Sequence, residues 1–120
     1  MSEAKSVRVA VVQAAATPFD RDFAVDKVCE MTAQAAEQGA RLVLFPEAYV
    51  GGYPWGLSFG TVVGGRSEAG RRVWERYWSA AVDVPGPEVA RMSEAAEAAG
   101  VHLCVGVIER DSTYSGGTLF

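Results

Sequence analysis

The chain has 120 residues, of which 49% are hydrophobic and 22% charged, with a formal net charge of −4. This is a globular balance, which predicts a packed core and one domain or part of one. No basic run or stripe favours nucleic acid or an anionic membrane surface as a partner, and no apolar run is long enough to span a bilayer.

Met1 to Lys5 leads straight into a strand-like segment without an apolar stretch, so no signal peptide is expected. Val7 to Val12 is a β-branched run and reads as a strand. The turn-like Thr17-Pro18 follows. Asp20 is a plausible helix N-cap, and Asp22 places a carboxylate near the positive end of the helix dipole. Val25, Val28, Cys29, Thr32 and Ala36 then keep helical spacing, with Gly39 as the natural residue just past the helix end. Arg41 to Phe45 is a second short apolar strand. A strand–helix–strand unit over residues 7 to 45 implies a parallel or mixed sheet covered by helices.

Residues 46 to 66 are rich in glycine and aromatics and read as a long loop, a length that is often functional. Ser67 is placed to cap the next helix. In that helix Trp74, Tyr77, Trp78 and Ala81 share one face, which suits either core or a subunit interface. Val84-Pro85-Gly86-Pro87 breaks it and starts another, with Pro87 at the first helical position. Val89, Met92, Ala96 and Ala99 form the buried stripe of that helix, and Gly100 ends it. Val101 to Ile108 is a third strand, apolar on both faces and therefore expected to be covered on both sides. A turn around Asp111 to Tyr114 precedes Ser115 to Phe120, which reads as the start of a fourth strand. On this reading residues 1–120 are a single partial domain that ends in mid-strand.

The segment with chemical potential is Leu42 to Glu47. It puts a carboxylate just past the C-terminal end of an apolar strand, where active sites of open α/β sheets collect. Pro46 lacks an N–H, so it stops the strand and fixes the direction of Glu47. Phe45, Tyr49, Tyr53 and Trp55 are expected to wall the carboxylate from water, which would favour proton transfer. From spacing alone an ordinary exposed loop glutamate is the commoner reading, because catalytic carboxylates are a minority.

FPEAYVGGYP, Phe45 to Pro54, closely resembles the glutamate motif of the nitrilase superfamily of carbon–nitrogen hydrolases. Four flanking segments resemble the family in the same order: Val7 to Asp20, Val84 to Met92, Val101 to Asp111 and Gly116 to Phe120. The resemblance covers nearly the whole chain. The GGYPWG form and the stretch from Phe59 to Trp78 look more like true nitrilases than like amidases. It implies an α/β fold, the N-terminal part of an α-β-β-α sandwich that pairs into dimers or longer spirals.

The family uses a Glu, a Lys and a Cys, and only the Glu carries over, onto Glu47. The resemblance also makes Tyr53 and Trp55 candidates for shaping a substrate pocket, and implies no metal or organic cofactor. Lys5 and Lys27, the only lysines, lie in the tail and on the first helix, so neither stands in. Cys29 and Cys104 read as buried apolar residues without an activating base, and too few for a secreted disulfide scaffold. His102 reads as a packed or edge histidine. Gly65 to Arg72 echoes a phosphate loop but lacks its Lys and Ser/Thr.

The expected function is hydrolysis of a small nitrile in the cytoplasm by a homo-oligomer, with the 120-residue chain inactive alone. The alternatives are an amidase or carbamoyl-amine hydrolase of the same superfamily, or a non-catalytic interaction module.

Overall fold

A computed structural model of the chain describes residues 5–62 and 65–120. Three short strands, β1 (Val9–Val11), β2 (Leu42–Leu44) and β5 (His102–Cys104), form a parallel sheet in the order β1-β2-β5. Between β2 and β5 the chain forms a two-stranded antiparallel ribbon, β3 (Thr61–Val62) and β4 (Gly65–Arg66), then helices α2 (Glu68–Ser79) and α3 (Pro87–Ala99). Helix α1 (Arg21–Glu37) joins β1 to β2. The ribbon lies in the stretch expected to be irregular, and Val63 and Gly64 of that stretch lie outside the described residues.

The helix boundaries follow local chemistry. Asp20 Oδ1 accepts from the Phe23 N–H at 3.1 Å, and Ser67 Oγ accepts from the Gly70 N–H at 3.1 Å. Helix α1 closes with two bonds, Gly39 N–H to Ala36 O at 2.8 Å and Ala40 N–H to Ala35 O at 3.0 Å. That Schellman arrangement needs Gly39 in the left-handed region, where its φ is +87°. Pro87 opens α3, and Gly100 ends it with φ +64°.

The register fixes which side chains share a face. Val9 is level with Leu42 and His102, and Val11 with Leu44 and Cys104. Paired residues in a parallel ladder point the same way, so these six share one face and Ala10, Val43 and Leu103 share the other. The second face is the core side. Val43 packs with Val25 and Val28 of α1 and Met92 of α3, all at most 4% exposed. Each fully buried valine contributes about 1.5–3 kcal/mol.

The first face is open: Val9, Val11 and Leu44 are 47%, 68% and 40% exposed, and His102 and Cys104 are exposed as well. The expectation that the third strand is covered on both sides therefore fails for the described residues. The physical reason is that α1 and α3 pack against each other on the same side of the sheet. One helix layer on one sheet is half of the expected sandwich.

Beyond β5 the strand continues by single bridges, Val107 to Val50 and Glu109 to Val82, both parallel. Its other edge pairs antiparallel with the end of the chain. Glu109 and Phe120 exchange N–H···O bonds of 2.9 Å in both directions, and the Asp111 N–H donates to Thr118 O at 2.9 Å. Where a fourth strand was expected from Ser115 to Phe120, the described residues form a single antiparallel bridge, Arg110 to Leu119, which makes the pairing mixed.

Candidate active site

Glu47 sits at a break in the sheet. The Phe45 N–H donates to Cys104 O at 2.8 Å, as β2 requires. A regular parallel ladder would next bring the N–H of residue 47 to Gly106 O. Instead the Val50 N–H occupies that acceptor, at 3.1 Å, and the Ile108 N–H returns to Val50 O at 2.9 Å. Three extra residues are therefore looped out between two fixed points of the ladder. Pro46, with no N–H to donate, starts the excursion.

The excursion is tightly held. Ala48 is in the left-handed region with φ +49°, which costs a non-glycine residue about 1–2 kcal/mol. Burial offsets that cost: Ala48, Tyr49 and Val50 are 5%, 1% and 0% exposed. The Tyr49 ring packs against Phe45 with centroids 5.2 Å apart. Beyond Val50, Gly51 and Gly52 have φ +106° and +80°, and a Cβ on them would meet Ile108 Cγ1 at 2.9 Å and Pro18 Cα at 2.7 Å. The double glycine of the motif thus lets the backbone cross Ile108 and the Pro18 turn.

Glu47 itself is exposed. The aromatic wall expected around it is not formed by these residues. Phe45 and Tyr49 belong to the core, while Tyr53 and Trp55 are 60% and 87% exposed. Tyr53 neighbours Tyr77 of α2, whose hydroxyl is pushed up first by burial and then by Tyr53. Among the described residues no hydrogen bond joins Tyr53 or Trp55 to Glu47.

The loop beyond Trp55 is fastened to α2. Phe59 stacks on Tyr77, centroids 5.6 Å apart, and meets Trp74 edge-on at 5.2 Å. Tyr77 is buried, so this part of the aromatic stripe serves the core. Trp78 is half-buried beneath Arg110, whose guanidinium carbon lies 4.9 Å from the ring centre. Arg110 also forms a two-point pair with Asp83, at 2.6 and 3.2 Å.

Neither cysteine has the setting of a nucleophile. Cys29 is half-buried, and burial raises its pKa despite the opposing charge of Arg91. Cys104 is exposed on the open sheet face, which corrects the expectation that it is buried; alternation along β5 places it opposite Leu103. His102 is exposed on that face too, on the outer strand of the three. Lys5 is exposed, and Lys27 donates to Ala15 O at 3.1 Å.

Two features escaped the sequence. Buried Glu88, 7% exposed, faces Arg21, with 2.9 Å between Oε1 and Nε, and links α3 to α1. Gly106 lies directly beneath the Glu47 excursion: a Cβ there would be 2.5 Å from Ala48 N, 2.7 Å from Pro46 O and 2.8 Å from Glu47 Cα. An isolated glycine inside an apolar strand was the available signal for such a close approach.

Residues 8–120 match the family model described as carbon-nitrogen hydrolase. The chain is similar to a bifunctional nitrilase/nitrile hydratase, NIT4B, of Lupinus angustifolius, with 48% identity over 106 residues, 88% of this chain and 30% of that protein. It is similar to nitrilase 3 of Arabidopsis thaliana, with 46% identity over 106 residues, 88% of this chain and 31% of that protein. An aliphatic nitrilase of Sinorhizobium fredii (strain HH103) is 43% identical over 113 residues, 94% of this chain and 35% of that protein. The chain thus spans about a third of the length of the curated relatives it matches.

Proposed function

The chain belongs to the carbon–nitrogen hydrolase family, and from that premise we propose that it carries the general-base segment of a nitrilase, with Glu47 as the base. The observation that carries the reading is the placement of Glu47. It is an exposed carboxylate on an excursion anchored on both sides by ladder bonds at the carboxyl end of the central strand, inside a sequence 43–48% identical to nitrilases over most of its length.

In the proposed reaction a cysteine thiol attacks the nitrile carbon. Glu47 takes the thiol proton, the S–C bond forms, and the nitrile nitrogen is protonated to give a thioimidate. Water adds, ammonia leaves, and a thioester remains. A second water, activated by Glu47, releases the carboxylic acid and regenerates the thiol. A lysine stabilises the charge that develops at nitrogen and oxygen. That lysine and that cysteine have no counterpart among the 120 residues, so we expect this chain alone to be inactive. Tyr53 and Trp55 are assigned to the substrate pocket.

Among the described residues no helix is long and apolar enough to cross a membrane. We place the enzyme in the cytoplasm as a homo-oligomer acting on a small nitrile. The test is ammonia, amide and acid release by the full-length protein from benzonitrile and butyronitrile, beside benzamide and butyramide. Hydrolysis of the nitriles to the acids supports the proposal; turnover of the amides alone would make the protein an amidase.

A further inference from the structure

We infer that Gly106 is a positioning residue for Glu47, and that the absence of a side chain at 106 sets where the carboxylate stands. The inference rests on the reading of Glu47 as the general base.

The geometry is specific to this one residue. The excursion is anchored on both sides by bonds to the strand that contains Gly106: Phe45 to Cys104 O, and Val50 to Gly106 O. Between those anchors the backbone of Pro46, Glu47 and Ala48 rests on the Cα of Gly106. The three atoms nearest a Cβ at 106 all belong to backbone, and all lie below 3.0 Å. None of these three nearest atoms is the end of a flexible side chain that could swing aside. Ordinary contact begins at 3.4 Å, so relieving the 2.5 Å approach to Ala48 N alone requires a shift of about 0.9 Å.

The shift cannot be taken up by the anchors without breaking ladder bonds. Nor can Ala48 yield easily, because it is buried and already in the left-handed region. The displacement therefore falls on the Glu47 turn. A misplacement of about 1 Å in a reacting group is worth about 100-fold in rate. Gly106 touches no reacting atom in this account; it acts through Glu47.

The test compares Gly106→Ala, Glu47→Gln and the double variant in the full-length protein, with ammonia release from butyronitrile and benzonitrile as the readout. For Gly106→Ala the expected result is a kcat lower by about 100-fold with KM within about 2-fold. The double variant should be no slower than Glu47→Gln, because a positioning effect vanishes once the carboxylate is gone. A Gly106→Ala protein with wild-type kcat overturns the inference, and so does a further loss of that size on top of Glu47→Gln. Full activity of Glu47→Gln overturns the reading of Glu47 instead, so the two failures are distinct.

If Gly106→Ala does not fold, Ala48→Gly tests the premise that a fixed turn over Gly106 places the carboxylate, because the backbone N of residue 48 is the atom nearest a Cβ at 106 and its left-handed φ holds it there. Glycine fits φ +49° without strain and loosens the turn. A kcat lower by about 3–10-fold at a thermal midpoint no lower than wild type, absent in the Glu47→Gln background, supports the inference; wild-type kcat overturns it.

Discussion

Replacing Arg21 by methionine removes the cation that faces buried Glu88. Arg21 Nε lies 2.9 Å from Glu88 Oε1 without the alignment of a hydrogen bond, so the attraction is mainly Coulombic. The Arg21 Nη1 group also donates to Ala81 O at 3.0 Å, tying α1 to the chain after α2. Stranding one partner of a buried ion pair costs about 3–5 kcal/mol. The Arg21 side chain is 26% exposed, so water weakens the pair, and the lower end of that range is the expectation. Loss of the bond to Ala81 adds about 1 kcal/mol. Arg21→Met should therefore destabilise the protein by about 4 kcal/mol, read from the urea midpoint of tryptophan fluorescence. The double change Arg21→Met with Glu88→Leu should recover most of this, because apolar residues of similar volume replace buried pairs at little cost. A double variant as unstable as the sum of its singles would refute the reasoning.

Three further outcomes follow from the described contacts. Asp111 accepts from the N–H groups of Thr113 and Tyr114, and then Ser115, and these bonds hold its carboxyl below the ordinary 3.8. Its contribution is present above 3.8 and lost as pH falls through the lowered folded value; Asp111→Ala should remove amide protection at Thr113 to Ser115 at neutral pH, and unchanged hydrogen exchange would refute this. In the 120-residue chain, iodoacetamide at pH 8 should label exposed Cys104 before Cys29, whose pKa is raised by burial; equal rates would contradict the burial. If the open face of Val9, Val11 and Leu44 is covered in the full-length protein, Cys104 should become protected there, and mass-spectrometric mapping of the label reads the change.

What the sequence made legible was local. Asp20, Ser67, Gly39, Pro87 and Gly100 each act within one helical turn, and each stands at the helix end assigned to it. Strand existence was legible too, from runs of Val and Leu. The Glu47 excursion was not, because it is a mismatch of three residues between two strands that meet only after about 60 residues of intervening chain. Nor was the open sheet face, since coverage depends on what packs over a strand rather than on the strand. For the same reason Cys104, inside an apolar run, is exposed, and Tyr53 and Trp55 project outward beside a motif whose other aromatics, Phe45 and Tyr49, turn into the core. Glu47 was placed at its strand end by Pro46; Gly106, which supports it from the neighbouring strand, needed the fold.

The central claim is that Glu47 is the general base, and its most direct test is the single-turnover rate of Glu47→Gln in the full-length protein, with circular dichroism to establish the fold. Loss of general acid–base catalysis predicts a rate lower by about 10²–10⁴-fold at unchanged fold. A folded Glu47→Gln protein hydrolysing butyronitrile within about 10-fold of the wild-type rate would contradict the claim.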